Sequence, residues 1–309
     1  MTEYNLAIDA GLYVLSSTDF SQINSLSSIS NASALLIYPG NIFILSTDGV
    51  INRFDSSTLE KTGEFAIGSP SPAAYSEIEY CSVKNSAYII GSLGKIIEIS
   101  LPDCTIIDEF SVCESPVLLL NGVGSRYLFV ADGPSSRIHQ VAIDGNIKKD
   151  NVFLYYAILS MASCENPDSF AVGTSDGLNS VEVLGPASLR TMRLTSERMS
   201  YSAMEAILND TLFVGMRDNS VGVIDVFHHE PMPGPSFYDG ENIPGSSFSV
   251  AMGNDMKHAY VLSYIGDNTS RLTSYNFRFA EEPMELDIPG YPLDLKVSGN
   301  GDIYVLTTE

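Results

Sequence analysis

Seven short segments, each built on one aromatic residue followed by small or aliphatic ones, recur along this chain at a nearly constant interval. They read "NIFILSTDG", "SAYIIGSLG", "YLFVADGPS", "SFAVGTSDG", "TLFVGMRDN", "HAYVLSYIGDN" and "DIYVLTTE", anchored on Phe43, Tyr88, Phe129, Phe170, Phe213, Tyr260 and Tyr304. The successive gaps are 45, 41, 41, 43, 47 and 44 residues. A period in the forties filled only by strand-like segments and turns is what a β-propeller blade of four short strands produces.

The other strands fall around that anchor. A short apolar segment precedes it, such as "ALLIY", "PVLLL", "SAMEAIL" or "PLDLKV", and reads as the innermost strand. After a turn carrying Asp or Gly comes an alternating segment, such as "GVINRFD", "GKIIEIS" or "SRLTSYNF", as expected of a strand with one covered face. A fourth segment, "EKTGEFAI" or "TIIDEFSV", carries the charges that protect an outer edge from pairing with other chains. The chain ends after a second strand and begins near a third, "GLYVLSSTDF", so the two ends are expected to share one blade. The expected fold is all-β: a single domain over residues 1–309, a seven-bladed propeller of four antiparallel strands per blade, its closing blade shared between the termini.

Charge removes several classes of function. Against 38 acidic residues stand only 16 basic ones, a net −22, and such a field repels nucleic acid and anionic membrane alike. A cationic partner is compatible with it, as is plain solubility. No apolar run is long enough to span a bilayer, so no membrane insertion is expected. No signal peptide opens the sequence either, which leaves a cytoplasmic protein or one whose export signal has been removed. Cys81, Cys104, Cys113 and Cys164 form no C-x-x-C pair and no zinc spacing. A disulfide between Cys81 and Cys104 is open, since both fall on one face of the same blade, and it would support export.

With no tryptophan in the chain, the Trp-Asp dipeptide of WD-type repeats is missing, as are the tryptophans of sialidase-type and quinoprotein propellers. No Gly-Gly doublet marks a kelch repeat. The string "TLFVGMRDNSVGVIDVF" resembles the YVTN repeat, and "YLFVADGPSSRIHQVAIDG" and "YPLDLKVSGNGDIYVLTTE" resemble NHL-type blades. The period covers the whole chain, and those motifs are specific in three blades. The resemblance to this surface-layer-type group implies an extracytoplasmic protein, periplasmic or at the cell surface. Its members include interaction platforms and lactonases, so it implies no single activity.

The candidate site residues lie at turns. Asp48, Asp132, Asp176, Asp218 and Asp267 follow the anchor strands on one face of the ring, where a ring of carboxylates could meet a cation; Asp before Gly or Asn is equally ordinary turn chemistry. Tyr75, Tyr156, Tyr201, Tyr238 and Tyr291 fall in the connections leading to innermost strands, on the same face, where amphipathic rings suit a sugar or peptide. His228 and His229 read as solvated and His139 and His258 as structural; no metal site and no cofactor is expected. A lactonase-like site would draw on Glu79, Glu205, Arg137, Arg217 and Arg271, and no motif assigns them. The leading expectation is a monomeric, non-catalytic scaffold that binds a protein or glycan at the channel mouth. The alternative is a hydrolase with its site in the channel.

Overall fold

The computed structural model describes residues 9–68, 77–122, 126–163, 169–185, 188–194, 201–206, 211–216, 221–225, 230–231, 246–276 and 282–308. They form seven four-stranded antiparallel sheets. We number the blades from the first complete one: residues 32–66, 78–111, 116–153, 158–193, 201–231 and 246–289 make blades 1 to 6. Blade 7 takes its two inner strands, Pro292–Val297 and Ile303–Thr308, from one end of the chain and its two outer strands, Asp9–Leu15 and Gln22–Ser30, from the other. Tyr13 therefore sits in a third strand, opposite Val305 and Ser25, and is no anchor.

Burial follows strand position. The second strands are the core, and Asn41–Ser46, Ser86–Ile90 and Ile303–Thr308 are buried along almost their whole length. Outer strands such as Lys61–Ala66 and Ile106–Ser111 are largely exposed. The anchors are sealed between sheets: Phe43, Tyr88, Phe129, Phe170, Phe213, Tyr260 and Tyr304 are all at most 2% exposed. The Phe129 and Phe170 rings of successive blades pack at 4.2 Å. A blade cannot bury both faces alone, so each anchor takes its partner from the next sheet.

One irregularity recurs. In six innermost strands the pairing slips by one residue near the start, at Ser33, Val117, Leu159, Ser202, Phe248 and Leu293. A bulge bends the strand and re-aims a side chain. Here it falls at the end of the ring that carries the connections into the blades.

Among the described residues no helix is long and apolar enough to cross a membrane. Cys81 and Cys104 are buried free thiols, so the bridge between them is not formed. They pack in different clusters, Cys81 against blade 3 and Cys104 with blade 1.

Candidate functional site

The anchor aromatics define a ring of residues in register. Opposite them on the innermost strands stand Leu36, Glu79, Leu120, Ser163, Glu205, Ala251 and Lys296. Two residues earlier in those strands, nearer the face of the connections, come Ala34, Glu77, Leu118, Met161, Ala203, Ser249 and Asp294. All but Leu36 line a cavity of about 930 Å³ to which every innermost strand contributes. Two tiers of mostly apolar residues, with Ser163 and Ser249, thus carry four carboxylates, Glu77, Glu79, Glu205 and Asp294, and one ammonium, Lys296.

Three of the carboxylates have a structural task. An innermost strand leaves one edge of backbone N–H groups without a neighbour strand. The Asp294 carboxylate accepts the Leu35 N–H at 2.9 Å, Glu79 accepts the Asn121 N–H at 3.1 Å, and Glu77 accepts the Leu119 N–H. Each bond runs to another blade, and charge-assisted bonds of this kind are stronger than neutral ones. Glu205 makes no such bond among the described residues, and its side chain is exposed to the channel.

The electrostatics follow from crowding like charges inside protein. Burial, with Glu79 as like-charged neighbour, pushes the Glu77 carboxyl from its ordinary 4.5 up to about 8. Burial likewise raises Glu79, and raises Glu205 to about 7, with the Lys296 ammonium opposing the rise and Glu79 adding to it. Lys296 is held charged, its ammonium 3.7 Å from Asp294 and within the field of the three glutamates.

Above this ring sits an aromatic cluster. Tyr291 packs on Tyr264 at 4.9 Å and on Phe248 at 5.8 Å, and all three line the cavity. Phe248 is a bulge residue, and it and Tyr291 are 39% and 43% exposed, a large apolar area at a mouth.

Of the residues singled out by sequence, Tyr291 lies in this mouth. Tyr156 and Asp176 come together elsewhere, lining a cavity of about 220 Å³ with Phe153 and Tyr155 between blades 3 and 4. Asp48, Asp176 and Asp267 lie at turns and Asp132 at a strand end, in four separate sheets, and they do not converge on one ion. Tyr75, Tyr238 and Asp218 lie outside the described residues, as do Arg217, His228 and His229, and of Tyr201 only the strand position is described. Among the hydrolase candidates Glu79 and Glu205 reach the cavity. Arg137 instead bonds Asn151, and Arg271 binds Asp287 and Glu285 on the outer strand of its own blade. No Arg or His lines the cavity among the described residues. The string Gly173–Gly177, "GTSDG", fits G-x-S-x-G by spacing alone. It is a tight turn between two strands, whereas a nucleophile elbow needs a strand leading into a helix.

No family model matches the chain, and no curated protein matches it. Among solved structures it is similar to the WD40 repeats of RRP9, with a TM-score of 0.68 at 14% identity over 90% of this chain and 94% of that one. It is similar in the same degree to U3-55K, again with TM-score 0.68 and 14% identity, over 90% of this chain and 95% of that one. Likeness at this identity establishes the propeller fold. It also bears on two expectations and overturns one. The matched structures are WD40 propellers, although this chain has no tryptophan, and they give the YVTN/NHL grouping no support. The extracytoplasmic location falls with that grouping, which was its basis, and the Cys81–Cys104 bridge that would have supported it is not formed.

Proposed function

We propose that this chain is a non-catalytic protein-interaction scaffold that receives a cationic, partly apolar segment of a partner protein at its channel mouth. The observation carrying this reading is the packed Phe248, Tyr264 and Tyr291 cluster, which lines the same cavity as four acids and one base. Aromatic rings at a mouth supply contact area at low entropic cost. In a protein of net charge −22, a Lys or Arg side chain entering the cavity would draw from Glu77, Glu79 and Glu205 the protons that burial makes them hold, and would meet carboxylates.

The test is affinity capture with the wild-type chain and with a Phe248→Ser/Tyr291→Ser double variant, followed by direct binding of the captured segment as a synthetic peptide. The proposal expects a basic segment that the double variant releases and that salt weakens. Identical captures by both proteins, or binding to a glycan array alone, overturn it.

A hydrolase reading has one observation behind it: Glu205 has a free carboxyl raised towards neutral pH inside a cavity. Against it, the other three acids are occupied with strand edges, and no Arg or His lines the cavity among the described residues.

A further inference from the structure

One polar cluster has no place in the channel. Cys113 lies in the connection entering blade 3, Asp132 ends that blade's second strand, and His139 lies in its third. Their ligand atoms, one from each residue, lie within 4.8 Å of one another. Strand pairing explains the convergence. His139 stands opposite Val130, two residues before Asp132, so both side chains leave the same face of the sheet. That face packs against blade 2, and Cys113 joins the same cluster.

Hydrogen bonding does not account for the group. His139 is 4% exposed and neither ring nitrogen has a partner. Asp132 is 7% exposed; Ser135 Oγ donates to its Oδ2, while its Oδ1 is buried with no partner. Cys113 Sγ accepts the Ser115 N–H. Leaving such groups buried and unsatisfied is costly, so a buried orphan imidazole beside an orphan carboxylate oxygen asks for a ligand.

We propose that Cys113, Asp132 and His139 bind a divalent transition metal of the zinc class. Sulfur, imidazole and carboxylate are the donor types zinc takes, and a thiolate with an imidazole selects against calcium and magnesium. Ligand atoms around a tetrahedral zinc sit roughly 3.5 Å apart, so small side-chain rotations complete the set, with a fourth position left for water. Thiolate and carboxylate together cancel the charge of the dication. Ser135 fixes the carboxylate's other oxygen, the service a surrounding shell gives a metal ligand. The Lys148 ammonium nearby is directed to the Val112 carbonyl at 3.0 Å. A metal here would fasten the connection entering blade 3 to that blade's second and third strands.

The experiment titrates the EDTA-treated, full-length chain with Co²⁺ as a spectroscopic stand-in, then displaces it with Zn²⁺. The expected result is one equivalent bound, with a sulfur-to-cobalt charge-transfer band that Cys113→Ser abolishes and His139→Gln weakens by about tenfold or more. No uptake by the wild type overturns the proposal, as does a band undiminished in Cys113→Ser, which would place the metal on another cysteine. Should the variants fail to fold, alkylation of the wild type decides. One equivalent of Zn²⁺ slows iodoacetamide modification of Cys113, read by peptide mass spectrometry, and an unchanged rate overturns the site.

Discussion

The Asp294 carboxylate of blade 7 accepts the backbone N–H of Leu35 in blade 1 at 2.9 Å. This bond crosses from the sheet that pools both chain ends to the first sheet built from one. Asp294→Ala leaves that edge N–H without its partner and is expected to cost about 1–3 kcal/mol in a denaturant titration. Asp294→Asn, which still offers an acceptor oxygen, is expected to cost less. Equal losses in the two variants would show that the bond is not what Asp294 contributes.

The carboxyl of Glu77 gives stability a pH dependence with a definite sign. Its proton is held to about pH 8 in the folded chain against an ordinary value of 4.5. Between those values the folded state binds more protons than the unfolded one, so stability is greatest at the acid end and falls as pH rises through the window. Glu77→Gln is expected to flatten that fall, measured as urea midpoints from pH 5 to pH 8. A wild type whose stability climbs across the window with the same slope as the variant would contradict this.

Packing between blades should far outweigh the outer rings. Phe129 is 2% exposed with its ring 4.2 Å from Phe170, and Phe129→Ala is expected to cost about 3–5 kcal/mol. Phe153 is 44% exposed and touches Tyr155 and Arg137, so Phe153→Ala is expected to cost under about 1 kcal/mol. Thermal melts of the two variants should separate clearly.

Gly290, in the connection entering the shared blade, is the most confined glycine among the described residues. At φ +100° a Cβ added there would lie 1.7 Å from the Thr308 carbonyl oxygen, so Gly290→Ala must displace the last strand. The expected loss is more than about 3 kcal/mol. Gly40, at φ +73° with nothing within 4 Å, should lose only about 1–2 kcal/mol on the same change. Circular dichroism melts of both variants provide the check.

The period was legible because it is carried by local strand chemistry: the anchors Phe43 to Tyr304 all fall in second strands of separate sheets. The chain has no tryptophan, and a Phe or Tyr sealed between sheets fills the inter-blade space without it. The channel acids were harder to see. "SAMEAIL" and "PLDLKV" read as apolar strands, and the Glu205, Asp294 and Lys296 inside them gain meaning only when seven strands stand side by side. The usable signal was an acid or base in a strand that otherwise has none, paired with an anchor. Cys113, Asp132 and His139 gave no spacing motif, because strand register and an entering connection bring them together.

The pairing of Asp9–Leu15 with Ile303–Thr308 also bears on how the chain is made. At synthesis rates of about 5–20 residues per second, the earliest strands leave the ribosome roughly tens of seconds before their mates exist. During that interval a sticky β-edge travels with the nascent polypeptide, and whatever chaperone or neighbouring polysome product meets it first competes with the strand it is waiting for.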